Sequence, residues 1–290
     1  MSLPQSYTKK RDFLVCVDSD GCVMDTMTCK HVHCFGPRMV DEWELDEWRD
    51  EILTRWNEIN LYQLTRGINR FKGLAMALGE INEKYTRIAG IEALFSWCDT
   101  THALSMKALS EAIEKSEAGE GRVCLEKALA WSRAVNESIN ELPDDVKIPF
   151  DGAEEGLSAA HSVADVAVVS SANREAVVGE WERFSLLCHT DVTLTQDIGS
   201  KAYCIGEMLK LGYDKGKTLM IGDAIGDLEA AEAMGVYFFP ILTGKERESW
   251  SEVRVVALER LISESYGGEY QKDKKRQFIE NFKQTHKNVN

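Results

Sequence analysis

No apolar run in this 290-residue chain approaches the ~20 residues that a membrane-spanning helix needs; runs such as 166–169 and 236–241 are single-strand lengths. The apolar stretch 13–17 comes after a basic cluster but is too short for a signal-peptide core, and no small-residue cleavage site lies beyond it. A cytoplasmic protein with no membrane partner is expected. Positive charge is also scarce. The 34 Lys and Arg residues against 48 Asp and Glu leave a net charge of -14, which argues against a broad nucleic-acid or anionic-membrane surface. None of the eight cysteines forms a Cys-x-x-Cys pair, and a chain of this size does not need covalent staples, so reduced thiols are expected. One segment, Cys29-Lys30-His31-Val32-His33-Cys34, gathers four soft-metal ligands. Zinc sites draw their ligands from two separated segments, so a loop with incidental thiols and imidazoles is the expectation there.

What is present is ordinary in bulk and informative in detail. Hydrophobic residues at 44% and charged residues at 28% fit a globular chain with core enough for one large domain or two moderate ones. The informative stretch is Phe13-Leu14-Val15-Cys16-Val17 running into Asp18-Ser19-Asp20-Gly21. One buried strand ends in two carboxylates two positions apart, which leave on the same side if strand geometry persists. Gly21 lets the chain turn away without a Cβ clash. Two like charges so close repel unless a cation sits between them or one holds a proton.

After Asp25 the texture is helical. Leu45, Trp48, Ile52, Trp56 and Ile59 recur at spacings of three and four, as do Ile88, Ile91, Phe95, Cys98 and His102, and less cleanly Leu125, Leu129, Val135, Ile139 and Leu142. Several helices and no strand are expected from about 40 to 142, with breaks near Gly67, Gly73, Gly79 and Gly121 and with the tryptophans as packing anchors. Pro143 and Pro149 bracket one linker, and the opposite crossing falls within 26–37. Two linkers around a helical block predict an insertion into another domain. Beyond Phe150, helices at 153–162, 174–187, 201–211, 227–234 and 245–263 alternate with strands at 166–169, 192–195, 218–221 and 236–239. Continuously apolar strands in that alternation indicate an α/β fold with a doubly wound parallel sheet, Rossmann-like, covered on both faces. The expected division is a discontinuous α/β core at 1–26 and 150–265, an all-helical domain with its linkers at 27–149, and a polar tail at 266–290 forming a peripheral helix and a frayed end.

In an open parallel sheet, ligands bind beyond the carboxyl ends of the strands. The polar residues there are Asp18 and Asp20, Ser170 and Ser171, and Asp223 with Asp227, while Lys201 opens a helix in between. Carboxylates, hydroxyls and an ammonium converging there would suit a hard divalent cation and a phosphate, and oxygen donors favour magnesium over zinc. Singly, each has a plainer reading: Asp18 and Asp20 as strand-end turn residues, Asp227 as a helix N-cap, the serines as turn residues, Lys201 as solvent-exposed. In this order they resemble the haloacid dehalogenase superfamily of phosphotransferases. Asp18-Ser19-Asp20-Gly21-Cys22-Val23 looks like the first motif, Asp-x-Asp-Gly-Thr/Val, with Cys22 where threonine is commoner. Val168-Val169-Ser170-Ser171 looks like the second, Lys201 fits the motif lysine, and Gly222-Asp223-Ala224-Ile225-Gly226-Asp227 matches Gly-Asp-x-x-x-Asp. The resemblance covers about 12–26 and 150–245, and the helical block sits where that family places a type 1 cap.

The resemblance implies that Asp18 is the nucleophile forming an aspartyl phosphate, and that Asp20 is general acid and then general base. It implies Mg2+ held by Asp18, the backbone carbonyl of Asp20 and Asp223, with Asp227 orienting a metal water or Lys201 from behind. Ser170, Ser171 and Lys201 would bind the phosphoryl oxygens. Asp20 favours phosphate esters over carbon–halogen bonds, because the dehalogenase branch lacks an aspartate at that position. The expected activity is a magnesium-dependent phosphohydrolase acting on a small phosphorylated metabolite. A sugar phosphomutase is the alternative, and a catalytically weak phosphometabolite-binding or scaffold protein is the reading from a different class. Arg66, Arg70 and Lys72, three cations around Gly67 in an acidic chain, are candidates for substrate choice by the cap. The plainer reading pairs them with Glu58 or Glu80 on a helix surface.

Overall fold

A computed structural model describes residues 7–101 and 104–288, so that His102 of the helical repeat lies outside the described residues. The chain divides into two compact units, one formed by residues up to Thr26 together with those from Lys147 onward, the other by Met27–Val146. Every strand among the described residues lies in the first unit: β1 (Leu14–Val17), β2 (Met24–Asp25), β3 (Ile148–Pro149), β4 (Asp165–Val169), β5 (Val192–Leu194), β6 (Thr218–Gly222) and β7 (Tyr237–Pro240). Five of them make one sheet in the order β5-β4-β1-β6-β7, with each neighbouring pair parallel. β2 and β3 form a separate antiparallel ribbon.

Strand side chains alternate between faces, and this sheet uses both. Val15, Val17, Val166, Val168, Leu219 and Ile221 pack into a core with the helices Ala153–Val163 and Arg174–Arg183 and with Trp250 and Leu261. Leu14, Cys16, Ala167, Val169 and Met220 point the other way, onto Lys201–Leu209, Ile225–Met234 and the C-terminal helix Glu269–Asn288. All residues of β1, β4 and β6 are buried, which is why these strands read as unbroken apolar runs. Val17 pairs with Val168 on one side and Ile221 on the other, so Asp18, Ser170 and Asp223 emerge at the same edge of the sheet. The expected doubly wound α/β core is the observed one. The helix expected at 245–263 runs as Glu246–Glu252, a π turn at Val253–Ala257 and Leu258–Ile262.

The C-terminal segment is a helix, as its polarity allows, yet it is built into the core. Phe278 is 1% exposed and Phe282 4%, and Phe278 meets Phe238 of β7 edge-on at 5.1 Å. Gln271 closes the open side of β7: its Oε1 accepts from Phe238 N at 2.8 Å and its Nε2 donates to Phe238 O at 3.1 Å. One side-chain amide thus does what a further strand would do at an edge that otherwise invites pairing with another chain.

The second unit is helical throughout its described secondary structure, as expected. Trp131, fully buried, is edge-on to Phe35, Trp56 and Phe71 at 5.9–6.2 Å, and its indole N–H donates to Phe35 O at 3.1 Å. The tryptophans are anchors of packing, each such ring pair adding ~0.5–1.5 kcal/mol beyond area burial. Two expectations are corrected. The expected break near Gly121 does fall there, between the helices Met106–Lys115 and Glu120–Glu141, but Gly73 and Gly79 lie inside the helix Arg70–Lys84, where a Cβ would come within 2.6 Å of Asn60 and 3.0 Å of Phe95. These glycines allow close packing instead of breaking helices. The second correction concerns the first crossing. Met27–Lys30, His31–Phe35 and Gly36–Trp43 succeed one another as helical turns with a π segment in the middle, and Pro37 comes just after that segment. The Cys29–Cys34 stretch is therefore helix, not loop, and among the described residues it contributes to no metal-ligand cluster.

Phe278→Ala should cost about 3–5 kcal/mol as a large buried ring removed from a core. Val255→Ala, at a position 58% exposed, should change stability by less than about 0.5 kcal/mol. Urea unfolding of both variants checks the difference; equal midpoints would show that the C-terminal helix is not part of the folded core.

Candidate active site

The edge of the sheet where β1, β4 and β6 end carries the candidate site. Asp18 continues the β1 ladder by one residue, its N–H donating to Ile221 O at 3.0 Å. The next residues close a tight loop: Met24 N and Val23 N both donate to Ser19 O, and Gly21 N donates to Met24 O at 2.8 Å. Gly21 sits at φ 82°, a conformation that a side chain would strain, which is why the turn needs glycine. Ser19 is buried, and its hydroxyl accepts from Trp181 Nε1 at 2.8 Å while its N–H donates to Asp18 Oδ1 at 2.7 Å. The carboxylate of Asp18 is thereby fixed from one side by its own neighbour's backbone.

Lys201 fixes it from the other. Ser200 caps the helix Lys201–Leu209, its hydroxyl accepting from Tyr203 N at 3.2 Å, and the helix delivers a 91%-buried ammonium to the strand ends. Lys201 Nζ lies 2.7 Å from Asp18 Oδ2 and 2.6 Å from Asp227 Oδ1. Asp227 Oδ2 accepts from Ala224 N at 3.0 Å, so this carboxylate closes the first turn of its helix and grips Lys201 at once. Asp227 therefore stands at the third helical position and not at the N-cap of its plainer reading, and its carboxylate reaches Lys201 as well.

One oxygen from each of Asp18, Asp223 and Asp227 lies within 4.8 Å of the others, and all three residues are buried. Burial pushes the Asp18 carboxyl upward in pKa, the Lys201 ammonium pulls it back and the Asp227 charge adds to the rise. Asp227 is raised for the same reason, by burial against the pull of Lys201, with Asp223 reinforcing the rise. Burial works against the Lys201 charge, but the Asp18 and Asp227 carboxylates outweigh it and hold the ammonium protonated. Three carboxylates facing one ammonium, all with hard oxygen donors, suit a divalent cation of the magnesium type. The carboxylate trio is Asp18, Asp223 and Asp227; the side chain of Asp20 goes elsewhere, its Oδ1 accepting from Thr26 Oγ1 at 2.5 Å. That placement leaves the expected contribution of Asp20 to a metal with its backbone carbonyl.

Ser170 is buried at the end of β4. Its N–H donates to Leu194 O at 2.9 Å and its Oγ accepts from Ala172 N at 3.1 Å. Ser171 is exposed. Cys22, in place of the commoner threonine, is buried with its thiol directed at Ile221 O, 3.7 Å away; burial first, then the Asp223 charge, pushes its pKa up. Among the cap candidates, Arg66 is 4% exposed with Nη1 donating to Leu61 O at 3.2 Å. The Arg70 guanidinium lies over the Phe35 ring and donates to Ser132 and Asn136. Lys72 is exposed. Glu58 and Glu80, the surface partners expected for these cations, are engaged by Arg55 instead, at 2.7 and 2.8 Å. Sequence reasoning did not single out Thr26 and Trp181, which hydrogen-bond Asp20 and Ser19. Neither sits in an alternating or helical pattern that marks function; only the proximity of Thr26 to the first motif was a signal.

The chain belongs to the haloacid dehalogenase-like hydrolases, whose sequence profile matches residues 96–241, half of its length. The match includes Ser170, Lys201, Asp223 and Asp227 and begins beyond Asp18 and Asp20. No curated protein sequence matches the chain. Among solved structures, a protein from Lactobacillus delbrueckii subsp. bulgaricus, provisionally named a phosphoglycolate phosphatase, is 16% identical with a TM-score of 0.51, over 80% of this chain and 86% of that one. The provisionally assigned HAD-hydrolase YfnB of Bacillus subtilis, solved bound to magnesium, is 15% identical with a TM-score of 0.44, over 80% and 87%. At such identities the likeness is one of fold. No helix among the described residues is long and apolar enough to cross a membrane.

The glycine of the Gly-Asp motif has a steric reason. A Cβ on Gly222 would lie 2.2 Å from Asp227 Cγ and 2.3 Å from its Oδ2, and that carboxylate is pinned by Lys201 and Ala224. Gly222→Ala should therefore cost about 1–3 kcal/mol by overpacking. Gly226→Ala, where a Cβ meets nothing within 4 Å, should be neutral or stabilise by up to about 1 kcal/mol in its helix. Thermal unfolding of the two variants gives the comparison; a neutral Gly222→Ala would mean that Asp227 moves freely.

Proposed function

We propose that the protein is a magnesium-dependent phosphohydrolase that cleaves a small phosphorylated metabolite through an aspartyl phosphate on Asp18. The observation that carries this reading is Lys201 Nζ bridging Asp18 and Asp227 at 2.7 and 2.6 Å in a buried strand-end cluster with Asp223. Such a cluster is costly to bury and is hard to justify by stability alone, because taking charges out of water is seldom repaid by their attraction.

Asp18, Asp223 and the carbonyl of Asp20 would hold the magnesium ion, which when bound supplies positive charge against the phosphoryl oxygens. Asp18, oriented by Ser19 N–H and Lys201, attacks phosphorus in line, and the bond from phosphorus to the ester oxygen breaks. Asp20 gives its proton to that departing oxygen, so the product leaves as an alcohol. Water then attacks phosphorus of the acyl phosphate, Asp20 takes its proton, and Asp18 is released with inorganic phosphate. Lys201 and Ser170 bind phosphoryl oxygens; Ser170 Oγ accepts from Ala172 N, which leaves the hydroxyl able to donate. A proton donor two residues beyond the nucleophile suits an alkoxide leaving group, which a halide would not require. Substrate choice is assigned to the Arg66–Lys72 segment of the helical unit, where Arg70 is braced by Ser132, Asn136 and the face of Phe35.

Hydrolysis of 4-nitrophenyl phosphate should require magnesium, stop on chelation and resume when the ion is restored. Asp18→Asn should lower kcat by about 10³-fold or more, as losing a nucleophile does elsewhere. Turnover that survives Asp18→Asn would sink the proposed nucleophile. A panel of phosphorylated metabolites, scored for released phosphate and for isomerisation, separates the hydrolase from a mutase; binding without either reaction would point to a binding protein.

A further inference from the structure

Asp20 must hold a proton, give it to a leaving oxygen and later take one from water, so the orientation of its carboxyl matters as much as its presence. The side chain is half-buried on the turn after β1. Thr26 is one of the groups that hold it: its Oγ1 lies 2.5 Å from Asp20 Oδ1 and 3.5 Å from Met24 O, so that the hydroxyl proton belongs to the carboxylate. Thr26 is fully buried, its N–H donates to Met24 O at 2.9 Å, and it comes directly after β2. β2 is itself pinned: Met24 and Asp25 pair with Pro149 and Ile148 of β3, Phe150 N donates to Val23 O at 2.9 Å, and Asp20 bridges to Met24. The hydroxyl is thus held by a hydrogen-bonded ribbon and not by a mobile loop.

We propose that Thr26 is a positioning residue for proton transfer by Asp20, an inference that rests on the hydrolase reading above. A hydroxyl donating to Oδ1 fixes the carboxyl torsion and directs the transferable proton to Oδ2, since an oxygen already accepting a strong hydrogen bond is the poorer site for it. The contribution is orientational, of the kind by which small displacements of a catalytic group cost large factors in rate. Thr26 is fully buried with its hydroxyl on Asp20, so it acts through Asp20.

The test uses the leaving group as its probe. A 4-nitrophenolate departs without a proton, an alkoxide does not, and kcat/KM reports the first transfer, in which Asp20 is the acid. The substrates are 4-nitrophenyl phosphate, phenyl phosphate and a simple alkyl phosphate, each with magnesium supplied. Thr26→Val, which keeps the shape and removes the hydroxyl, should lower kcat/KM for the alkyl ester by about 10–100-fold, part of the 10²–10⁴ that general acid catalysis supplies. The loss for 4-nitrophenyl phosphate should be several-fold smaller. Thr26→Ser should restore the alkyl ester to within about threefold, the hydroxyl being returned. If the valine variant is unstable, Thr26→Ala carries the same comparison. Equal losses across the three esters, or a serine variant as poor as valine, overturn the proposal, because a merely structural threonine would behave that way. Asp20→Asn measured in parallel keeps the two readings apart. If it spares the alkyl ester, the role of Asp20 and with it the hydrolase mechanism fails; if it steepens the leaving-group dependence while Thr26→Val does not, only the role of Thr26 fails.

Discussion

The buried ammonium of Lys201 is the constraint on which the strand-end cluster depends. Without it, Asp18, Asp223 and Asp227 would be three buried carboxylates at close range, with burial favouring the neutral forms of Asp18 and Asp227. With it, Asp18 and Asp227 each have a counter-charge at hydrogen-bond distance. The arrangement is still not one that folding alone would select, since a buried ion pair seldom outperforms packed apolar side chains of the same size. It makes sense as an arrangement in which an ammonium orients a carboxylate and partly offsets the burial that favours its neutral form.

The rest of the core serves that one contact. Five parallel strands put Asp18, Ser170 and Asp223 at a common edge because their registers are locked by full burial on both faces, where a one-residue slip would turn every side chain to the wrong core. The helix that starts at Lys201 and the helix that starts at Ile225 pack side by side on one face, and their first turns supply the lysine and its second partner. Gly222 is the point where this convergence becomes tight, its missing Cβ making room for the Asp227 carboxylate.

Much of this was legible in the chain because two periodicities are strong. Buried parallel strands appear as short continuous apolar runs, and the residues at the carboxyl end of such a run stand at a ligand-binding edge, so Asp18, Ser170 and Asp223 could be named from their positions alone. Other features left no such trace. The π turns at His31–Phe35 and Glu58–Tyr62 shift the helical phase by a residue, and glycines inside helices look like breaks when their reason is a neighbour's side chain. The C-terminal helix carries few apolar residues in a polar sequence, so its composition describes its solvent side while Phe278 and Phe282 decide where it sits. Thr26 was invisible for a different reason. Its partner is fixed by how the turn after β1 closes, and a single hydroxyl has no periodicity.

The insertion of a second unit between Thr26 and Lys147 raises the question of how the interrupted core stays precise at its active edge. Loop-closure entropy grows only logarithmically, so a long insertion adds little to the cost of bringing its ends together. The larger cost would be imprecision, since the chain leaves the core within a few residues of Asp18 and Asp20. The β2–β3 ribbon answers it: the outgoing and returning strands hydrogen-bond to each other before the chain departs, and Phe150 closes back onto Val23. The helical unit buries a core of its own around Trp56 and Trp131. With the insertion tied off at its base, the strand-end carboxylates are held by the registers of the sheet, and the residue at the tie itself, Thr26, is coupled to Asp20.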